Sequence, residues 1–258
     1  MIMKKILVTG ASRGIGKSIA IELAKSGYSL ILTSRTESDL RKVAEECSSY
    51  GVKADYYISD LSSLNAGVDS AKFALTRFDN ITGIILNAGI STSKRFENNS
   101  LDDIEKELGV NYLAPVGFIK EFIPYFKKIQ NSSIIVISSF SALTPFPANS
   151  SYAATKSAIY SLCNSLRFEL SEYGIHVGVV LPGGTKTDMT KDFESIPFIM
   201  DSPETIALSV KNCLEKKESI IIPGLVYNTA ALAYKFFQNP IDIALNFAVK
   251  NIFPKIGK

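Results

Sequence analysis

The fold is decided in the stretch Ile6-Leu7-Val8-Thr9-Gly10-Ala11-Ser12-Arg13-Gly14-Ile15-Gly16, where a short apolar run leads directly into three glycines. A run of this length and β-branched content predicts a strand buried on both faces. Ile15, Ile19 and Leu23 then follow at helical spacing, and Gly27 is a natural helix stop. Glycines at such a turn let the backbone approach a pyrophosphate at the helix N-terminus. The stretch therefore predicts a nucleotide-binding turn.

Six further short apolar runs are separated by longer amphipathic stretches. They are Leu30–Leu32, Tyr56–Ile58, Ile84–Leu86, Ile134–Ile137, Val177–Leu181 and Ile220–Ile222. Strands that alternate with helices in this way are joined by right-handed crossovers and form a parallel sheet. We therefore predict an α/β fold with a parallel sheet of about seven strands.

Composition excludes several classes of protein. The 258 residues are 46% hydrophobic and 21% charged, which is typical of a globular domain, and a net charge of +3 is too balanced for a nucleic-acid binder. A single histidine excludes a zinc site built on several histidines, and no metal is predicted. Three widely spaced cysteines and the lack of a signal-like or membrane-spanning stretch predict a soluble protein in the cytoplasm.

The glycine turn also matches a rival motif. Gly10 to Gly14 spells G-x-S-x-G, the nucleophile elbow of α/β-hydrolases, with Ser12 as the nucleophile. The base would have to be His176, which lies in a predicted strand and not in a loop. The nucleophile-elbow motif also does not account for the third glycine, Gly16. We therefore favour nucleotide binding.

The end of the second strand indicates which nucleotide is bound. A carboxylate at this position holds the ribose 2′-hydroxyl in many dinucleotide folds, whereas arginine accommodates a 2′-phosphate. Here the strand ends in Ser34 and Arg35, and Arg13 in the turn can reach the same place. Glu37, the nearest acid, is expected to start the next helix. Two guanidinium groups suit a phosphate, which predicts NADP(H).

Further motifs follow the glycine turn in a fixed order. They are Asp60-Leu61, Asn87-Ala88-Gly89, Asn111, Ser138-Ser139, Tyr152-Ala153-Ala154-Thr155-Lys156, and Pro182-Gly183 followed by Thr187. With the turn, this order resembles the classical short-chain dehydrogenase/reductase family over about residues 5–188. The resemblance implies a Rossmann-like, doubly wound sheet. We expect a dinucleotide-binding catalytic domain over residues 1–225 and a C-terminal helical extension over 226–258 packed on that domain.

The spacing of Tyr152 and Lys156 indicates an acid–base pair, independently of the resemblance. Residues four apart share one face of a helix, and an ammonium beside a phenol is expected to lower its pKa from about 10. Tyr152 would then serve as general acid and base, with Lys156 also holding the nicotinamide ribose. Ser139, 13 residues before Tyr152, would polarise the substrate carbonyl. Asn111 would hold a relay water.

The resemblance extends to the cofactor-binding residues. The implied contacts are Gly10, Ser12, Arg13, Gly14, Ile15, Gly16, Ser34, Arg35, Asp60, Leu61, Asn87, Ala88, Gly89, Tyr152, Lys156, Pro182, Gly183, Thr185 and Thr187. The implied activity is hydride transfer between NADP(H) and a small carbonyl or alcohol substrate, in a homodimer or homotetramer. Two alternatives stay open. One is a 3-oxoacyl-thioester reductase of lipid metabolism, and the other is a non-catalytic NADP(H)-binding sensor.

Two segments outside the motifs bear on the substrate and on partners. Residues 188–201 include Phe193, Ile196, Phe198, Ile199 and Met200, which predicts an apolar lid and a substrate with an apolar body. Beyond the last strand, helices are expected over Tyr227–Phe237 and Ile241–Phe253, with Asn239 as N-cap and Pro240 as first helical residue. For this extension we rank packing on the protein first and membrane association last.

Overall fold

The computed structural model describes residues 4–129, 131–144, 147–189 and 200–251, with only the backbone described for 244–246 and 248–251. Seven parallel strands form one sheet in the order β3-β2-β1-β4-β5-β6-β7. The strands are β1 (Lys5–Thr9), β2 (Ser29–Ser34), β3 (Ala54–Ile58), β4 (Ile81–Leu86), β5 (Ser133–Ile137), β6 (His176–Val180) and β7 (Ile220–Ile221). The predicted α/β fold and doubly wound sheet are confirmed, with each predicted apolar run lying in or overlapping a strand.

Helices connect the strands and cover both faces of the sheet. They are α1 (Gly14–Lys25), α2 (Glu37–Ser48), α3 (Leu64–Arg77), α4 (Leu101–Leu108), α5 (Ala114–Phe126), α6 (Ser150–Glu169), α7 (Pro203–Lys216), α8 (Leu225–Phe236) and α9 (Gln238–Asn251). Local sequence explains several starts. The hydroxyls of Ser63, Ser100 and Ser202 accept backbone N–H bonds at the N-termini of α3, α4 and α7. Gly27, at φ +83°, follows the end of α1 as expected.

The core lies in two layers, one on each side of the sheet. Phe118, Phe122 and Phe126 of α5 fill the layer that α3, α5 and α6 cover. Ile19 of α1 and Val210 of α7 belong to the opposite layer, which α1, α2 and α7 cover. The strands between these layers read as continuous apolar runs because both of their faces are buried.

The chain reverses its direction of winding between β1 and β4, and this opens a crevice at their carboxyl ends. Thr9 closes the bottom of that crevice, because its Oγ1 accepts the backbone N–H groups of Asn87 (3.0 Å) and Ala88 (3.1 Å). The Asn87 side chain donates back to the Thr9 carbonyl at 3.0 Å. The ends of β1 and β4 are therefore held at a fixed separation.

The C-terminal extension differs in detail from its prediction. Helix α8 begins at Leu225, and α9 begins at Gln238, so Asn239 is not an N-cap and the break falls at Phe237. A proline is tolerated within a first helical turn, because the N–H it lacks has no intrahelical partner there, so the helix can start before Pro240. No helix in the described ranges is long and apolar enough to cross a membrane. The aromatic and aliphatic residues of the expected lid, Met200 excepted, lie outside the described residues.

Candidate active site

One cleft of about 620 Å³ lies over the carboxyl ends of the strands. Every residue expected to contact the cofactor lines this cleft, and Ser139 lines it as well. Asn111 does not line it. The cleft also takes in residues that were not expected to be site residues, namely Thr36, Asp39, Ser59, Ile90, Ser91, Val110, Ile137, Ser138, Asp188 and Met189. Motifs quoted from separate parts of the chain therefore meet in one place.

The glycine turn forms a cradle that side chains would fill. Gly10 and Gly14 have φ of +65° and +53°, a region that residues with a Cβ rarely adopt. A Cβ on Gly10 would stand 2.9 Å from the Cα of Ala88, and one on Gly16 would overlap the carbonyl of Gly10. The backbone at the N-terminus of α1 is therefore bare, which fits a pyrophosphate.

The end of β2 has the features that a ribose 2′-phosphate requires. Ser34 is buried, and its hydroxyl has no hydrogen-bond partner among the described residues. Arg35 is exposed at the rim, and Arg13 lies 3.5 Å from Asp188 in an exposed ion pair. Asp39, which sequence reasoning missed, brings one carboxylate to the same end of the cleft. Within the described part of the chain, this end of the cleft therefore holds one hydroxyl without a partner, two arginines and the carboxylates of Asp39 and Asp188.

Glu37 does not compete for this position. As expected, it is the first residue of α2, and its carboxylate accepts a hydrogen bond from Arg41 at 2.9 Å. This is an i,i+4 pair along the helix surface. The nearest acid after Ser34 in the sequence is therefore directed along α2.

Helix α6 brings Tyr152 and Lys156 to the other end of the cleft. Lys156 is buried, and its ammonium donates to the carbonyl of Ile137 at 2.9 Å. The Ser138 hydroxyl donates to the Lys156 carbonyl at 2.8 Å, so the end of β5 is joined to α6 twice. Gly89 permits this approach, since a Cβ there would stand 3.3 Å from the Lys156 Nζ.

Ser139 lies beside the phenol of Tyr152. A hydrogen bond between the two side chains acts to lower the pKa of Tyr152. The Ser139 hydroxyl also accepts a hydrogen bond from the backbone N–H of Ser141 at 3.1 Å, at the start of the short 3₁₀ helix Phe140–Ala142. Ser139 therefore both caps a turn and faces the cleft, and the turn fixes the direction of its hydroxyl.

Burial shifts the pKa values of both Tyr152 and Lys156. Burial raises the pKa of Tyr152 to about 12, with the Ser139 hydrogen bond opposing the rise and the charge of Glu107 adding to it. Burial lowers the pKa of Lys156 to about 8. The expectation that Lys156 brings the pKa of Tyr152 down is therefore wrong in direction for this structure, because the cost of burying a phenolate is larger. Tyr152 holds its proton at neutral pH.

Asn111 lies in a π-helical turn, Gly109–Leu113, that joins α4 to α5. Its amide oxygen accepts the N–H of Ile90 at 2.9 Å, and its amide nitrogen donates to the Ile90 carbonyl (2.9 Å) and to the Thr155 hydroxyl (3.1 Å). The side chain thus joins the segment after β4 to α6. The expected relay water stays a prediction.

A family model described as short chain dehydrogenase matches residues 4–196. The chain belongs to the short chain dehydrogenase family.

Individual relatives agree with this assignment. The chain is 29% identical over 266 residues to an uncharacterized oxidoreductase, YusZ, of Bacillus subtilis, which covers 97% of this chain and 94% of that protein. A short-chain dehydrogenase from Sphingobium yanoikuyae in complex with NADPH superposes with a TM-score of 0.81 at 26% identity, over 96% of each chain. An alcohol dehydrogenase from Thermococcus sibiricus complexed with 5-hydroxy-NADP gives 0.77 at 29% identity, over 87% of this chain and 97% of that chain. The chain is an oxidoreductase of a family that uses nicotinamide cofactors.

Membership of the short chain dehydrogenase family argues against the hydrolase interpretation of Gly10 to Gly14. The position of His176 argues against it as well. His176 is the first residue of β6, so it lies at the amino ends of the strands, whereas the cleft lies at their carboxyl ends. Its Nε2 forms a hydrogen bond with the carbonyl of Glu218 at 2.9 Å. It cannot reach Ser12. No three His, Cys, Asp or Glu side chains cluster as a metal site in the parts of the chain that the structure describes.

Glu107 is a buried acid of this dehydrogenase that the sequence analysis missed. It is 0% exposed, and its carboxylate accepts from the backbone N–H of Thr92 (2.6 Å), the Thr92 hydroxyl (3.0 Å) and the Ser151 hydroxyl (2.5 Å). Ser151 directly precedes Tyr152. Glu107 therefore fixes the start of α6, and only its place three residues before the apolar Val110 could have suggested burial.

We predict that Glu107→Ala lowers the free energy of unfolding by about 3 kcal/mol, because it leaves the buried Ser151 hydroxyl and the partly buried Thr92 N–H without their acceptor. Glu105→Ala, an exposed acid on the same helix, is the matched control and should change it by less than about 0.5 kcal/mol. Urea denaturation measures both. Equal effects from the two variants would show that the buried hydrogen bonds contribute nothing.

The pKa of Lys156 predicts a pH dependence of stability. Unfolded lysine titrates near 10.5 and folded Lys156 near 8, so between these values the unfolded state binds a proton that the folded state lacks. Stability conferred through this residue therefore rises with pH in that window, by up to about 1.4 kcal/mol per pH unit. Lys156→Met should lack the rise. Urea denaturation of the wild type and of Lys156→Met at several pH values measures the free energy of unfolding of each. If that free energy depends on pH in the same way in both proteins, the lowered pKa of Lys156 is contradicted.

Proposed function

We propose that the protein transfers a hydride between NADP(H) and a carbonyl or alcohol substrate with an apolar body. The observation that carries the proposal is the arrangement of one cleft. Ser34 and Arg35 lie at one end, the bare glycine turn lies between, and Tyr152 and Lys156 lie at the other end. A dinucleotide laid along such a crevice presents its nicotinamide to the catalytic pair.

The preference for NADP(H) rests on charge at the end of β2. A 2′-phosphate would find the unused Ser34 hydroxyl and the guanidinium groups of Arg35 and Arg13, and the last residue of β2 is Ser34 where a carboxylate would hold a bare ribose hydroxyl. The NADPH and 5-hydroxy-NADP bound by the two structural relatives support the same nucleotide.

Tyr152 would act as the proton donor in carbonyl reduction. The cofactor supplies the hydride. The phenol, with its pKa raised to about 12, keeps its proton until negative charge forms on the substrate oxygen next to it. Ser139, whose hydroxyl is directed by its bond to the Ser141 N–H, would donate a second hydrogen bond to that oxygen. In the structure the Ser139 hydroxyl donates to the Ser141 hydroxyl at 3.2 Å, so its hydrogen would turn to the substrate oxygen when the substrate binds.

Lys156 would hold the cofactor ribose and restore the proton. Its ammonium uses one hydrogen on the Ile137 carbonyl, which leaves two donors to face the cleft. With its pKa lowered to about 8, it exchanges protons readily near neutral pH, unlike an ordinary lysine. The apolar side chains of Ile90, Val110 and Met189 line the same cleft and favour a substrate with an apolar body.

We predict that the wild-type protein binds NADPH at least about tenfold tighter than NADH, equivalent to about 1.4 kcal/mol. Ser34→Asp should move the preference toward NADH, because the new carboxylate repels a 2′-phosphate and accepts a ribose hydroxyl. Titration of nucleotide fluorescence measures both affinities. Ser38→Asp, which adds the same charge at an exposed position on α2, is the control. Equal affinities in the wild type would sink the cofactor assignment.

We predict that Tyr152→Phe lowers turnover by about 10²–10⁴-fold while NADPH affinity barely moves, because only the acidic proton is lost. Lys156→Ala should lower both turnover and NADPH affinity, because this residue also serves the ribose. Steady-state rates and nucleotide titration separate the two outcomes. Tyr160→Phe, on the same helix outside the cleft, is the matched control. Near-normal turnover in Tyr152→Phe would make that tyrosine structural.

A further inference from the structure

Helix α8 has its large apolar side chains on the outside. Leu225, Leu232 and Phe236 are 82%, 59% and 69% exposed, and their spacing of seven and four residues places them on one face. The opposite face presents Tyr227 and Tyr234, both partly buried, toward the protein. A helix that only covered a core would have the reverse arrangement.

The exposed apolar face continues into α9. Phe237 at the junction is 62% exposed, and Ile243 and Phe247, one turn apart on α9, are 72% and 64% exposed. The Tyr234 hydroxyl donates to Asp242 at 3.0 Å and so ties the two helices together. We call the exposed apolar set the tail surface. It consists of Leu225, Val226, Leu232, Phe236, Phe237, Ile243 and Phe247.

Positive charge accompanies the tail surface. From Leu225 to the C-terminus the sequence has four lysines and one acid, so this segment carries the whole net charge of +3. The one acid, Asp242, accepts the Tyr234 hydroxyl. Lys235 is exposed next to Phe236 on α8, and the other three lysines follow in the sequence. Exposed apolar residues combined with lysines are the pattern of helices that lie in the interface of an anionic bilayer.

We propose that the tail surface docks on an anionic lipid surface, with α8 and α9 lying in the plane of the interface. A second copy is the less suitable occupant, because a two-fold contact would bring two segments of like charge together. The helices have 12 and 14 residues, fewer than the ~20 needed to span a bilayer, so they lie on the surface. This reverses the order in which the sequence analysis ranked the two possibilities.

Helix α8 adjoins the cleft through Tyr227, on the face opposite the tail surface. The Tyr227 hydroxyl accepts the backbone N–H of Gly184 at 2.8 Å, and its ring lies 5.2 Å from that of Phe140. A Cβ on Gly183, which lines the cleft, would overlap the Tyr227 ring. Docking through the outer face of α8 would therefore leave one helix between the lipid and the Gly183 end of the cleft.

The test is co-sedimentation of the full chain, loaded with NADPH, with phosphatidylcholine vesicles that contain or lack phosphatidylglycerol. The expected result is binding to the anionic vesicles that weakens with salt, and binding at least about tenfold weaker for a Leu232→Ser/Phe236→Ser variant. The matched control is Leu101→Ser/Phe168→Ser, which removes two apolar side chains that are 83% and 78% exposed on α4 and α6. This control should bind vesicles as the wild type does.

Three results would overturn the proposal. They are no sedimentation of the wild type with anionic vesicles, equal loss in the tail and control variants, and a wild-type dimer that only the tail variant dissociates, seen by light scattering. The last result would assign the surface to a second copy. NADPH titration of the tail variant keeps the outcome separate from the proposed activity, because it should bind nucleotide normally whether or not it binds vesicles.

Discussion

The buried ammonium of Lys156 is the constraint on which the active site depends. A charge in this position is costly, and burial lowers its pKa to about 8. The carbonyl of Ile137, 2.9 Å away, offsets part of that cost. Because the bond ties α6 to the end of β5, the position of Tyr152 one turn earlier follows from it. The group that holds the helix in place is thus also the group to which we assign the cofactor ribose and the proton relay.

The rest of the site keeps that helix and the glycine turn at a fixed distance. Thr9 and Asn87 join the ends of β1 and β4, and Asn111 joins the segment after β4 to α6 through a π-helical turn. Glu107 holds the residue before Tyr152 from the other side. Each of these side chains bonds backbone groups or buried hydroxyls, so the cleft is preorganised by hydrogen bonds more than by apolar contact.

The sequence was sufficient for the fold and for the outline of the cleft, because strands buried on both faces and glycines at a strand-to-helix turn have strong local signatures. It was insufficient where burial decides the outcome. The direction of the Tyr152 pKa depends on desolvation, which no spacing reveals, and Glu107 reads as a surface acid until its three donors are seen. The sequence also could not show that the apolar face of α8 points to solvent. Periodicity shows that a helix has an apolar face, but not whether that face is directed toward the core or away from it.

We propose that this cleft reduces carbonyl compounds and does not merely sense the nucleotide. The most direct measurement follows NADPH absorbance while the wild-type protein is offered ketones, aldehydes and acyl thioesters, with the alcohol product quantified. We expect NADPH to be oxidised only when a carbonyl compound is present, and faster with apolar substrates. One alcohol molecule should form for each NADPH consumed. Tight NADPH binding with no oxidation on any carbonyl compound would contradict the proposal and leave a nucleotide-binding sensor.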